Sequence, residues 1–178
     1  MRIIAGRLKG RRLVAPTGRD VRPTSDRLRE TLFNVLGPSV EGARVIDGFA
    51  GTGALGLEAW SRGAVSVTFV ERVPAALRAL EANVRTCGLA DDATTVRGDF
   101  RTVPLPPASA DLVLLDPPYS LPDLDAIAER GGGLVAEGGR LVLEHSRRRA
   151  SPEQAGGLLR YRVLVAGDSA LSFYAPRV

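Results

Sequence analysis

The tetrapeptide Asp116-Pro117-Pro118-Tyr119 directly follows an apolar run, Asp111-Leu112-Val113-Leu114-Leu115. A strand should stop there, because proline has no N–H for a ladder and fixes its own φ. The strand tip is left with a carboxylate, carbonyl oxygens without sheet partners and an aromatic face. That set suits a planar base carrying an exocyclic amine. The oxygens can accept from the amine N–H groups while the ring of Tyr119 stacks on the base.

A second motif lies upstream, Val45-Ile46-Asp47-Gly48-Phe49-Ala50-Gly51-Thr52-Gly53-Ala54-Leu55-Gly56. It reads as a buried strand, a glycine-rich turn and the start of a helix, whose N-terminus offers free N–H groups to a ligand. The Gly-x-Gly-x-x-Gly spacing also fits a dinucleotide fingerprint, with Glu71 as its ribose acid. Asp47 argues against that, since a carboxylate at the strand tip repels a pyrophosphate and attracts an ammonium group. S-adenosylmethionine carries an ammonium, a ribose and an adenine but no phosphate, and it matches the loop better.

These two motifs need a scaffold, and the chain alternates accordingly. Val45-Ile46, Val65 to Val70, Thr94 to Val96, Leu112 to Leu115 and Leu141 to Leu143 are short strand-like runs. Between them lie helical stretches at Leu55 to Ser61, at Pro74 to Cys87 with Leu77, Leu80 and Val84 on one face, and at Leu124 to Arg130. Pro74 suits a first turn and Gly88 a stop. Such alternation predicts an α/β fold with a mostly parallel sheet covered on both faces. The tail breaks the rhythm: Arg160 to Val165 and Leu171 to Tyr174 are joined by Ala166-Gly167-Asp168-Ser169, too short for a helix, and should form a reversed hairpin at the sheet edge. The expected sheet has seven strands in the class I methyltransferase arrangement, built by residues 41–178. Residues 1–40 are expected to be a basic extension packed on it. Within this extension Arg2 to Pro16 reads as a hairpin turning near Lys9-Gly10. A helix of about 12 residues follows, with Leu28, Leu32, Val35 and Leu36 on one face, Thr24 or Ser25 as its cap and Gly37-Pro38 as its end.

At 178 residues the chain is sized for one core. No apolar run approaches the roughly 18 residues needed to span a membrane, and the N-terminus does not resemble a secretory signal. The one cysteine, Cys87, allows no internal disulfide and agrees with a reducing compartment, so a cytoplasmic location is expected. The single His145 offers no metal cluster, and none is expected. Cys87 and Trp60 read as core residues. Charge is uneven. Residues 1–30 hold nine basic side chains against three acidic ones, whereas the remaining 148 hold fifteen against seventeen. A basic excess confined to one segment is the pattern of a phosphate-binding surface. Arg2, Arg7, Lys9, Arg11, Arg12 and Arg22 are its candidate contacts, and Arg147-Arg148-Arg149 reads as a solvated loop.

Three stretches together resemble one family: Arg22-Pro23-Thr24-x-Asp26-Arg27-x-Arg29-Glu30-Thr31-Leu32-Phe33-Asn34, then Asp47-x-Phe49-Ala50-Gly51-Thr52-Gly53-Ala54-Leu55-Gly56-Leu57-Glu58-Ala59, then Asp116-Pro117-Pro118-Tyr119. They are similar to the bacterial small-subunit (16S) ribosomal RNA guanine-N2 methyltransferases, which use S-adenosylmethionine. The opening Arg2-Ile3-Ile4-Ala5-Gly6 and the closing hairpin fit as well, so the likeness covers nearly the whole chain. It implies that Phe49, Ala50, Gly51 and Gly53 border the cofactor and that Asp47 serves its methionine end. It further implies that Glu71 with Arg72 meets the ribose and that Asp99 with the Phe100 backbone meets the adenine. Asp116, Pro117, Pro118 and Tyr119 become the catalytic platform, ribosomal RNA or small-subunit assembly particles the substrate, and the enzyme is expected to act as a monomer. Residues 120–139 depart from the family, since the Gly131-Gly132-Gly133 run points to an abbreviated helix. Other readings stay open at this point: a DNA adenine or cytosine amine methyltransferase, a nicotinamide-dependent oxidoreductase and a non-catalytic RNA-binding assembly factor.

Overall fold

In the computed structural model, which describes residues 1–16 and 25–177, β1 (Arg44–Asp47), β2 (Ser66–Glu71), β3 (Ala93–Arg97), β4 (Ala110–Leu115) and β5 (Val135–Ser146) run parallel. β8 (Ser169–Ala175) pairs antiparallel with β5, and β7 (Leu158–Ala166) antiparallel with β8. A two-residue strand, β6 (Gln154–Ala155), adds one member to the expected seven. Among the described residues the sheet order is β3-β2-β1-β4-β5-β8-β7-β6. The expected α/β architecture and its reversed C-terminal strand are therefore present.

The four helices among the described residues are α1 (Asp26–Leu36), α2 (Ala54–Ser61), α3 (Pro74–Cys87) and α4 (Leu124–Gly133). Ser25 caps α1 by accepting from the Leu28 N–H at 3.1 Å, as expected of one of its two candidate caps; the other, Thr24, lies outside the described residues. Phe33 takes the buried place expected for Val35, which is only half-buried. Gly37-Pro38 ends the α-helix, and the chain tightens into a 3₁₀ turn through Val40. One apolar cluster joins α1, α2 and α3 to one face of the sheet. The other face packs against α4, Phe100 and Val103. α4 differs from the abbreviated helix expected: it runs ten residues, straight through the three glycines. A Cβ on Gly132 would stand 2.0 Å from the Ala155 carbonyl oxygen, so the glycine is what lets the helix lie against β6.

Every residue of α2 after Ala54 is buried, because the N-terminal segment covers its outer side. Ile4 and Ala5 donate their N–H groups to the Glu58 carboxylate at 2.7 and 3.0 Å, and Leu8 donates to the Ser61 hydroxyl at 3.0 Å. Gly6, at φ 80°, would place a Cβ 1.9 Å from the Ser61 carbonyl, so this contact requires glycine. The expected hairpin is present in short form: Arg2 bridges Arg12, and the N–H groups of Ile3, Gly10 and Leu13 donate across it to the carbonyls of Arg11, Ile3 and Met1. Ile4, Ala5, Arg7 and Leu8 turn their N–H groups to α2. Ile3 and Leu13 enter the main core, so the basic segment is anchored firmly to it. Cys87 and Trp60 are buried, in agreement with the sequence reading.

Candidate active site

β1 and β4 lie side by side, but the chain leaves β1 toward β2 and leaves β4 toward β5, on opposite sides. Ligands of open α/β sheets collect at the carboxyl tips where the order reverses in this way. Here the Gly48 N–H donates to the Leu114 carbonyl at 2.9 Å, tying the glycine-rich turn to the strand that ends in Asp116. A cleft of about 1190 Å³ opens above this junction.

One half of the cleft is built by β1, β2 and β3. Phe49, Ala50, Gly51, Glu71, Arg72, Asp99 and Phe100 line it, as expected. Glu71 is held by backbone alone. One of its oxygens accepts from Gly51 N at 2.7 Å, and the other accepts from Arg72 N and Val73 N, both at 2.7 Å. Phe49 and Phe100 stand with centroids 5.2 Å apart at 49°, giving a flat apolar wall beside Asp99. Asp99 is gripped by Arg101 at 2.6 Å, and this partner pulls its carboxyl down to about 2. Two expected contacts are absent from the lining. Asp47 sits behind the turn, 1% exposed, with one oxygen accepting from Gly56 N at 2.9 Å and the other buried without a hydrogen-bond partner. Burial raises its carboxyl to about 7, against the opposing pull of the Gly56 N–H. Gly53 caps α2 and faces Leu80 instead of the cleft.

The other half is built by β4, β5 and the β7–β8 turn. Asp116, Pro117, Pro118 and Tyr119 all line it, so the tetrapeptide does meet the glycine-rich turn in one cavity. Tyr119 is held at its far end: its hydroxyl lies 2.6 Å from Ser169 Oγ and donates to Glu144 Oε1 at 3.3 Å. Burial lifts this phenol to about 12, so it keeps its proton as a donor. The loop after the tetrapeptide is pinned by Arg149, which donates to the Leu121 carbonyl at 2.6 Å.

Sequence reasoning missed Glu144, Ser169 and Asn83. Asn83 donates to the carbonyls of Val14 and Thr52, both at 2.9 Å, and so links the N-terminal segment to the glycine-rich turn. The available signal was a polar residue on the apolar face of α3; for Glu144 it was an acid at the end of Leu141-Val142-Leu143. Of the basic candidates, Arg2, Arg7, Lys9, Arg11 and Arg12 are exposed, whereas Arg22 lies outside the described residues. Arg7 stacks on the Trp60 ring at 3.7 Å and Arg11 donates to the Thr86 carbonyl at 3.1 Å.

The donor set decides what can sit here. Among the described residues the cleft presents the carboxylates of Glu71, Asp99, Asp116, Glu144 and Asp168 against only Arg27 and Arg72. Such a wall disfavours a pyrophosphate and favours a cationic ligand bearing a base and a ribose. S-adenosylmethionine fits those terms. The chain matches, over residues 1–175, the model of a family described as Conserved hypothetical protein 95. It belongs to that family. Within the family, YlbH of Bacillus subtilis is 36% identical over 99% of this chain and 100% of its own length. Ribosomal RNA small subunit methyltransferase D of Escherichia coli is 32% identical over 98% of this chain and 89% of its own. Among solved structures, yhhF of Escherichia coli superposes with a TM-score of 0.87 at 34% identity, covering 99% of this chain and 98% of that one. The fold alone is shared with an RNA methyltransferase of Salinibacter ruber solved in complex with S-adenosyl-L-homocysteine, at a TM-score of 0.67, 16% identity and coverage of 88% and 95%.

Proposed function

We propose that this protein is an S-adenosylmethionine-dependent methyltransferase of small-subunit ribosomal RNA and that the atom it methylates is the exocyclic N2 of a guanine. The observation that carries the reading is the convergence of the Glu71–Asp99 ligand wall and the Asp116-Pro117-Pro118-Tyr119 platform in one cleft. Relatives named ribosomal RNA small subunit methyltransferase D, and the product-like ligand held by the Salinibacter neighbour, support the class and the cofactor.

When bound, S-adenosylmethionine supplies an electrophilic sulfonium methyl. Glu71 takes the ribose hydroxyls with its remaining acceptor capacity, and Phe49 and Phe100 flank the adenine that Asp99 recognises. Asp47 works at one remove: by holding Gly56 N it fixes the start of α2 beneath the methionine end. On the other side Asp116 and the Pro117 carbonyl accept from the two N–H groups of N2. This turns the amine lone pair, otherwise delocalised into the ring, toward the methyl. Tyr119 stacks on the base and Pro118 stiffens the platform. The proton lost once nitrogen is alkylated passes to Asp116 or to water, so no strong base is needed. Holding nitrogen and methyl in a near-attack geometry contributes on the order of 7–11 kcal/mol.

The base must leave its stack to reach this cleft, which costs a few kcal/mol in a duplex and less in a loop. Residues 1–40, packed on the catalytic domain, hold the flanking phosphates through Arg2, Arg7, Lys9, Arg11, Arg12 and Arg22. The enzyme works as a monomer in the cytoplasm on assembling subunits. The test is transfer of labelled methyl to three acceptors: unmodified small subunits, naked ribosomal RNA and duplex DNA. Label in subunits or ribosomal RNA is expected. Label confined to DNA would replace this reading with a DNA amine methyltransferase.

A further inference from the structure

Asp-Pro-Pro-Tyr platforms handle any exocyclic amine, so what selects guanine must lie elsewhere in the cleft. Adenine and cytosine each present a ring-nitrogen acceptor beside their amine. Guanine presents a donor there, N1–H, next to the N2 amine. A site that picks guanine therefore needs an acceptor beside the one that takes N2, and a carboxylate is the strongest choice because it accepts only.

β5 supplies such a group. Leu115 of β4 is in register with Leu143 of β5, so the next residues, Asp116 just past the end of β4 and Glu144 still within β5, follow side by side. Leu115 and Leu143 both enter the core on the α4 face, whereas Asp116 and Glu144 both line the cleft. Glu144 is 5% exposed, yet Tyr119 donates to its Oε1 at 3.3 Å, and Ser169 contacts the same phenol. A buried carboxylate costs several kcal/mol to desolvate, so it is retained where donors are brought to it. Its position beside Asp116, braced through Tyr119, is where the N1–H of a base held by Asp116 would arrive.

We infer that Glu144 is the residue that reads guanine: its carboxylate accepts from N1–H while Asp116 and Pro117 accept from N2. The inference rests on the guanine-N2 reading and sharpens it. An adenine or cytosine seated in the same pose would point a lone pair at this carboxylate and be repelled.

The experiment uses small subunits reconstituted with ribosomal RNA that carries either guanosine or 2-aminopurine riboside at the position that takes the label. 2-Aminopurine keeps the 2-amine and lacks N1–H. The wild-type protein is expected to methylate the guanosine RNA faster, by between about 10- and 150-fold in kcat/KM, the worth of one hydrogen bond to a charged group. In Glu144→Ala, which removes the acceptor, this preference should shrink to within about 3-fold, through loss of the guanosine rate. Titration of S-adenosylmethionine into Glu144→Ala by calorimetry verifies that the variant is folded. Equal rates on the two RNAs with wild-type protein would overturn the inference without any variant. An unchanged preference in Glu144→Ala would overturn it as well, and both results leave the guanine reading standing. No transfer to the guanosine RNA by wild-type protein would instead remove that reading, and the role of Glu144 with it.

Discussion

The two halves of the cleft are built by different rules. On the cofactor side most of the bonds that hold the key carboxylates come from groups within ten residues in the chain, Gly51 on Glu71, 20 residues away, being an exception. Glu71 is held by the N–H groups of Arg72, Val73 and Gly51, Asp47 by that of Gly56, and Asp99 by Arg101. On the base side the partners are distant: Tyr119 meets Glu144 and Ser169, 25 and 50 residues on, and Arg149 pins Leu121, 28 residues back. The first half is a set of strand-tip turns that carry their own geometry. The second exists only once β5 and β8 have paired. Cofactor binding and base positioning should therefore fail separately.

The largest effect expected is at Asp116. Asp116→Ala should lower kcat by at least about a thousandfold, the scale of losing a group that acts mainly in the transition state. Its affinity for S-adenosylmethionine, read by calorimetry, should stay within about threefold. Equal loss of both would mean that the halves are not separable. Glu71→Ala is the converse. Three backbone N–H groups lose their acceptor, so cofactor affinity should fall by about 10- to 100-fold, while RNA affinity measured without cofactor holds. Weakened RNA binding of the same size would break the comparison from the other side.

Asp47 gives a prediction through pH. Its carboxyl stands at about 7 in the folded protein against 3.8 in a free chain, so the folded state retains a proton that the unfolded state releases. Its contribution to stability is complete below about pH 4 and is lost as pH rises through 7, by about 1.4 kcal/mol per unit. Asp47→Asn should flatten that slope, measured by denaturant titration between pH 4 and 8; an unchanged slope would mean the carboxylate is charged when buried. The smallest effect belongs to the surface. Lys9→Ala with Arg12→Ala, exposed residues outside the cleft lining, should raise KM for RNA several-fold and reduce the salt dependence of binding, leaving cofactor affinity alone. Unchanged salt dependence would place the RNA on another face.

The same contrast explains what could be read from the residues alone. Glycine-rich turns, strand-ending prolines and a capped helix are local statements, and so the parallel sheet and the meeting of Glu71, Asp99 and Asp116 in one cleft were legible. Asp47 lies one layer behind the cleft lining. A carboxylate at a strand tip can face the ligand or hold the next helix, and the packed turn shows one of its oxygens accepting from Gly56 N. The triple glycine in α4 looked like a break because its use is a close approach to Ala155, a contact made across 23 residues. Glu144 and Ser169 stayed hidden for the same reason: each is ordinary in its own strand and gains a role only beside Tyr119.

The measurement that bears most directly on the central claim is the chemical identity of the methylated nucleoside. Small subunits lacking the modification would be incubated with the protein and labelled S-adenosylmethionine, then digested to nucleosides and resolved by chromatography with mass detection. N2-methylguanosine as the labelled product is the expected result. Label in a methylated adenosine or cytidine, or on any guanosine atom other than N2, would contradict the account.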